Sequence, residues 1–328
     1  MRKLLICGIM FMTCICNIHA QSYCVMNGND GSVVESEQMH KTQSVASISK
    51  IMTAIVAIEE GKLDDRWQVS EAICQVNGSS IYLKVGDEVT LRDLLYGLML
   101  RSGNDAAVEI AEHVGGSEDQ FVIKMNKKAK AIGMNDTVFH NPSGLDETDG
   151  GNLSSAYDMA LLMRYAMQND TFKEIAGSKY YDFKGNRWMN KNKLLFTFDN
   201  ATAGKTGYTK KAGRTLVSCA SENDVDSIVV TLDMGGDFAF HQIKHEQQLN
   251  DYEAYPIIKA GTYQLNQYEF EINKTIFIPI KKTEELNLTV MSRIENNLLK
   301  ITVKKADMVL EYEFTGKKIN KQKGGWFS

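Results

Sequence analysis

The chain has 328 residues, 43% of them hydrophobic and 24% charged, and a formal net charge of -4 at pH 7. That is an ordinary globular composition, long enough for one large domain plus a small one. The mild acidity gives no electrostatic basis for nucleic acid as a partner. The cysteines exclude a disulfide framework.

The first twenty residues read as a leader. Arg2 and Lys3 precede an apolar run from Leu4 to about Cys16, and Ile18-His19-Ala20 closes on a small residue. This is the layout of a secretory signal peptide, and the run is short for a membrane span. Its removal would take the net charge two units further negative. It would also remove Cys7, Cys14 and Cys16, leaving Cys24, Cys74 and Cys219 at a spacing that suits no metal site. These three read as small buried hydrophobes, with one disulfide plus a free thiol as the alternative.

Ser22 to Met26 and Val33 to Glu35 flank the turn signal Asn27-Gly28-Asn29-Asp30-Gly31 and read as a β-hairpin. Ala46-Ser47-Ile48-Ser49-Lys50-Ile51-Met52-Thr53 follows, a Ser-x-x-Lys pattern leading into an apolar run with helix spacing. A helix starting near Ser47 places Lys50 one turn along the same face. The hydroxyl then sits at the positive end of the helix dipole, where developing negative charge is favoured. A lysine kept out of water near other cations can lose its proton and accept one from the serine. The bland alternative is an N-cap serine beside a surface lysine.

Gly86 to Thr90 reads as a loop into the apolar helix Leu91 to Leu100, expected to be buried on most sides. That helix leads to Ser102-Gly103-Asn104, a tight connection before the helix Ala106 to His113. Phe121 to Ile132 and Ser155 to Gln168 read as further helices, separated by the turn Asn141-Pro142-Ser143-Gly144-Leu145-Asp146. Gly204-Lys205-Thr206-Gly207-Tyr208-Thr209 opens a meander continued by Thr215 to Ala220 and Ser227 to Leu232. A glycine there lets a ligand approach the backbone, and a lysine beside a hydroxyl suits a carboxylate. After Tyr252 the helix signals stop. Segments between Thr275 and Phe314 alternate in the β manner, so a small β-rich domain is expected over 257–315. A basic tail over 316–328, expected to be disordered, offers contact with a membrane surface or the cell wall.

Ser47-x-x-Lys50, Ser102-x-Asn104 and Lys205-Thr206-Gly207, in that order, form the motif set of β-lactamases and penicillin-binding proteins. With the turn 141–146, Ser155 to Ala160, Asn192 to Leu195 and Ala212 to Val217, the chain resembles the low-molecular-weight penicillin-binding proteins. These are the serine-type D-Ala-D-Ala carboxypeptidases of peptidase family S11. The resemblance runs from about residue 22 to 255.

The resemblance implies an α/β (α+β) catalytic domain over 21–256, with a five-stranded antiparallel sheet flanked by helices and the Lys205 strand walling the cleft. It implies a peptidoglycan stem peptide ending in D-Ala-D-Ala as substrate and β-lactams as acylating inhibitors. The implied location is the extracytoplasmic face of the membrane or the cell wall of a bacterium, with a part in peptidoglycan synthesis and cell shape. No metal or organic cofactor is implied. By the same resemblance Ser47 is the nucleophile and Lys50 its base, Ser102 relays a proton and Asn104 holds the substrate amide. Lys205 and Thr206 take the terminal carboxylate beside Gly207, and the N–H groups of Ser47 and Tyr208 form the oxyanion hole.

One departure stands out. Many relatives carry an arginine past the last core strands that meets the terminal carboxylate, and 237–244 contains none. His241 or Lys244 is the candidate substitute, although lysine lacks the bidentate fork and histidine is charged only at lower pH. Two other readings share the fold: a β-lactamase, for which Glu147 is the only acid near a comparable loop, and a catalytically silent peptidoglycan-binding protein. The five intact polar residues and the extra β-rich domain argue for the carboxypeptidase.

Overall fold

The computed structural model describes residues 21–146, 150–306 and 308–319. The expected leader, Glu147 and the tail beyond residue 319 lie outside the described residues. Among the described residues no helix is long and apolar enough to cross a membrane.

The organising element is a five-stranded antiparallel sheet made from two distant parts of the chain. Ser22–Asn27 (β1) and Val33–Glu37 (β2) form the expected hairpin. Ala201–Thr209 (β3), Gly213–Glu222 (β4) and Val225–Leu232 (β5) form the meander. The order is β2-β1-β5-β4-β3, so the strand carrying Lys205 is an edge. Its outer side has no strand partner among the described residues, the arrangement that admits an extended peptide. Ile228 to Leu232 are buried without alternation because helices cover both faces of the sheet.

The central helix is Lys50–Glu60 (α1), buried from Lys50 through Ala57. It begins three residues later than the sequence suggests: Ala46–Ser49 forms a 3-10 turn before it. The turn opens on Ala46 in the left-handed region, φ 51°. Leu91–Tyr96 (α2) starts with a capping box between Thr90 and Asp93. The expected loop before it holds a short strand, Glu88–Thr90, paired with Arg66–Gln68. Past Tyr96 the backbone widens into a π turn over Gly97–Arg101. Asn104–Gly115 (α3), Glu118–Ala131 (α4), Ala156–Ala166 (α5) and Asp170–Gly177 (α6) complete the helical side. Ser117 and Ser155 accept N-cap hydrogen bonds for α4 and α5. The short Leu194–Thr197 helix (α7) precedes β3. Asp237–Asp251 (α8) packs on β4 and β5 from the other face.

Beyond α8 the described residues hold strands and turns and no helix. The strand Tyr252–Ile258 pairs with Ile276–Lys281 and so runs across the expected boundary at 256. Two three-stranded sheets follow, one of them including Lys317–Lys318 from the start of the basic tail. This region has its own apolar core of Phe270, Ile278, Leu299, Val303 and neighbours. Lys305 joins it to the first region through Asp30 at 3.2 Å. Cys24 and Cys219 are buried and Cys74 is exposed; all three are free thiols.

Candidate active site

The 3-10 turn leaves Ser47 partly exposed and sends the Lys50 side chain back beneath it. Lys50 Nζ lies 3.1 Å from Ser47 Oγ and donates to Asn104 Oδ1 at 2.7 Å and to the backbone oxygen of Ser143. The carbonyl comes from the Asn141–Asp146 turn. Asn141 Oδ1 accepts the N–H groups of Ser143 and Gly144 and shapes that turn, while the Pro142 carbonyl accepts from Thr53 Oγ1 at 2.7 Å. Gly144, at φ 78°, lies so close to the Ala46 carbonyl that any Cβ there would collide with it.

The π turn ends on Ser102, a buried non-glycine residue in the left-handed region (φ 62°, ψ 35°). Backbone strain of this kind persists only where the surroundings enforce it, and it clusters at functional sites. Ser102 and Gly103 form the whole connection to α3. Asn104 opens that helix, and its Nδ2 donates to the Asn77 carbonyl at 2.6 Å. The contact fixes the amide so that Oδ1 faces Lys50.

From the facing side, Lys205 Nζ donates to Ser102 Oγ at 3.0 Å and to the Thr206 carbonyl at 2.6 Å. A Cβ on Gly207 would lie 3.0 Å from the Ser47 nitrogen and 3.1 Å from that of Ile48, and would strike Thr215 Oγ1. Glycine thus lets β3 lie against the N–H groups at the start of the turn. Thr206 is half-buried, and Tyr208 is 66% exposed beside the cleft.

Both lysines are buried, and their acceptors are hydroxyl, amide and carbonyl oxygens. Burial above all, and the nearby charge of Lys191, push the Lys50 ammonium down to about 7, against a smaller opposing pull from Asp105. Burial, then Lys50 and Lys191, hold Lys205 well below the usual lysine range. Asp105 is itself buried and taken up by Ser80 Oγ and the N–H groups of Ile81, Leu83 and Ala106. An amine poised near neutrality beside an accessible hydroxyl can take up its proton; a second cation at the next hydroxyl can favour proton delivery from it.

The structure thus brings together two hydrogen-bonded groups, Ser47–Lys50–Asn104 and Ser102–Lys205, close enough for the Lys50 charge to act on Lys205, with Thr206, Gly207 and Tyr208 on the same strand as Lys205. Sequence reasoning missed Lys191. It is exposed, its Nζ 3.2 Å from Ser79 Oγ, and its charge reaches both buried lysines. The signal was the Asn190-Lys191-Asn192 stretch just before β3. The expected carboxylate partners need correcting. His241 is fully buried in the other face of the sheet, bonded to Ser218 and Thr231. Lys244 is held by Glu35 at 2.7 Å on β2, at the far edge of the sheet. Neither reaches the Ser47 site, because α8 turns both side chains toward other parts of the sheet. A cavity of about 780 Å³ also lies elsewhere, lined by Arg164, Cys219, Asp226 and Phe277 among others.

The sequence and the fold both resemble those of known proteins. The family model for D-alanyl-D-alanine carboxypeptidase matches residues 11–236. D-alanyl-D-alanine carboxypeptidase DacF of Bacillus subtilis is 30% identical over 313 residues, 88% of this chain and 77% of that protein. DacB2 of Mycobacterium tuberculosis is 35% identical over 206 residues, 62% of this chain and 70% of its own length. The crystal structure of the carboxypeptidase DacD from Francisella tularensis superposes with a TM-score of 0.69 at 25% identity, covering 96% of each chain. With the motifs, the sheet and the matched length in agreement, the chain belongs to the D-alanyl-D-alanine carboxypeptidase family, peptidase S11.

Proposed function

We propose that this protein is a serine-type D-Ala-D-Ala carboxypeptidase that removes the last residue from peptidoglycan stem peptides and is acylated by β-lactams at the same serine. The observation that carries the reading is Lys50: buried, lowered to about 7, and 3.1 Å from a partly exposed Ser47 hydroxyl. In its neutral form it accepts the Ser47 proton as Oγ attacks the carbonyl carbon of the penultimate D-alanine. The oxyanion is received by the N–H groups of Ser47 and Tyr208, each such donor being worth ~3 kcal/mol.

Asn104 holds the substrate amide and Lys50 together. As the C–N bond breaks, the leaving amine takes a proton from the Ser102 hydroxyl, which is replenished from the lysine pair, and D-alanine departs. Water then attacks the Ser47 ester, giving one proton to neutral Lys50, which hands it to Ser47 Oγ as the ester C–O bond breaks; the shortened peptide leaves as its acid and ionises in water. Thr206 and Lys205 line the edge where the terminal carboxylate lies, beside Gly207.

We read the first twenty residues as an export signal and residues 21–256 as the catalytic domain, acting on the extracytoplasmic side of a bacterial membrane or in the wall. The following β-rich domain and basic tail are the parts that would meet the membrane or wall. Incubating the mature chain with a fluorescent penicillin and with a peptide ending in D-Ala-D-Ala tests the reading. Covalent label and free D-alanine are expected, and both are lost in Ser47→Ala. Folded protein that gives neither signal would contradict it.

A further inference from the structure

A free carboxylate at the end of the substrate needs a cation that is not sealed inside the protein, and His241 and Lys244 do not supply it. We propose that Arg214, on the strand next to β3, is the residue that holds this carboxylate. The inference rests on the carboxypeptidase reading and names how that site selects its substrate.

The register of the sheet carries the argument. Leu216 is paired with Thr206 and Arg214 with Tyr208, all antiparallel. Directly opposed residues share a face and alternate residues return to it, so Thr206, Tyr208 and Arg214 lie on the face that α8 covers, at the end of the sheet where the β3 edge borders the cleft, and the guanidinium would reach the carboxylate past that edge. Thr206 and Arg214 are diagonal neighbours, a separation of roughly 7 Å that a long side chain spans. Lys205, one residue earlier than Thr206, points to the opposite face and is committed to Ser102.

The guanidinium is aimed and fixed. Asp237 at the start of α8 is buried and accepts from Arg214 Nε at 3.2 Å and Nη2 at 2.7 Å. Asp237 also accepts the N–H of Phe238 at 2.9 Å, which anchors it in turn. A guanidinium has two bidentate edges. Asp237 occupies the Nε/Nη2 edge. On the Nη1/Nη2 edge, Nη1 and the second Nη2 hydrogen have no hydrogen-bond partner among the described residues, and the side chain is 48% exposed against 3% for its aspartate. A second carboxylate fits that edge with fork geometry, with the Thr206 hydroxyl beside it. The ion pair with Asp237 immobilises the arginine before substrate arrives, so less freedom is lost on binding.

The test compares a peptide ending in D-Ala-D-Ala with the same peptide as its C-terminal amide, by kcat/KM for release of the last residue. The wild-type enzyme is expected to prefer the free acid by about tenfold or more, the range of a charge-assisted bidentate contact. Arg214→Gln is expected to bring the ratio near unity, mainly through KM. Arg214→Lys should recover part of it, since charge returns without the fork. The ratio within one preparation cancels any loss of folded protein. An Arg214→Gln enzyme that keeps its preference overturns the inference, and a ratio that collapses instead in Lys191→Gln assigns the carboxylate to Lys191. Wild-type protein that releases nothing from either peptide overturns the carboxypeptidase reading itself, and the inference with it.

Discussion

Two buried polar clusters lie on opposite faces of the same sheet and treat charge in opposite ways. On the cleft face, Lys50 and Lys205 are buried cations whose hydrogen-bond acceptors are all uncharged. On the other face, His241 and His245 of α8 lie among Ser218, Ser227 and Thr231 of the strands.

The proton positions of the second cluster follow from its end. Asp30 is a carboxylate and can only accept, so Ser32 Oγ donates to it at 2.6 Å. Ser32 Oγ must then accept from Asn27 Nδ2, Asn27 Oδ1 from Gln248 Nε2, and Gln248 Oε1 from Ser227 Oγ. Ser227 therefore accepts from His245 Nδ1–H, leaving His245 Nε2 to accept from Ser218. Ser218 accepts in turn from His241 Nδ1–H, and Thr231 donates to His241 Nε2. Every donor points one way and both imidazoles are neutral with the proton on Nδ1. Burial pushes His245 down to about 3 and His241 well below the usual histidine range, the latter also through its neighbour. The lesson is one of use. A satisfied neutral network holds α8 to the sheet, whereas unneutralised cations are a cost to folding that the chemistry at Ser47 requires.

The contrast can be broken from either side. The largest effect is expected at Lys50→Met: acylation of Ser47 by penicillin falls by roughly a thousandfold, the scale of a lost general base. Urea unfolding of the same variant should show stability unchanged or raised, because a buried unneutralised cation is gone. In the histidine cluster the pattern reverses. Ser218→Ala strands a donor on His241 and an acceptor on His245, so urea unfolding should show a loss of about 3 kcal/mol. The folded fraction should still be acylated at the wild-type rate.

The next effect is a pH slope. His245 binds a proton near 6.5 when unfolded and only near 3 when folded, so stability falls as pH drops through that window. Its share is about 1.4 kcal/mol per pH unit, and the slope measured by urea unfolding should lessen by that amount in His245→Gln. The smallest effect is expected at Lys305→Met. It removes the cation 3.2 Å from Asp30 at the end of the chain while the Ser32 donors remain, so a loss of about 1 kcal/mol is expected by the same measurement.

The cleft cluster was legible in the sequence because each of its residues lies in a short local pattern. Ser47 and Lys50 are one turn apart, Ser102 and Asn104 share a tight connection, and Lys205 to Tyr208 follow one another on a strand. What joins the patterns was not legible. The Ser143 carbonyl that meets Lys50 and the Lys191 ammonium beside Ser79 belong to segments whose role appears only when the chain is folded. The histidine cluster defeated pattern reading for a different reason. His241, His245 and Gln248 stand at i, i+4 and i+7 on the buried face of α8, where apolar residues are expected, because the strands opposite present hydroxyls. His241 therefore looked available to substrate when it is sealed in the interior. The start of α1 was displaced because Ala46–Ser49 winds as a 3-10 turn, which sequence spacing does not distinguish from a first helical turn.

The central claim is that the lysine under Ser47 crosses between charged and neutral near neutrality, and the rate of Ser47 acylation against pH tests it most directly. Stopped-flow labelling with a fluorescent penicillin between about pH 5 and 9 should rise to a plateau with its midpoint near 7, the value to which burial brings Lys50. A rate that is flat across that range, or that falls as pH rises through 7, would show that neutral Lys50 is not the base and would contradict the account.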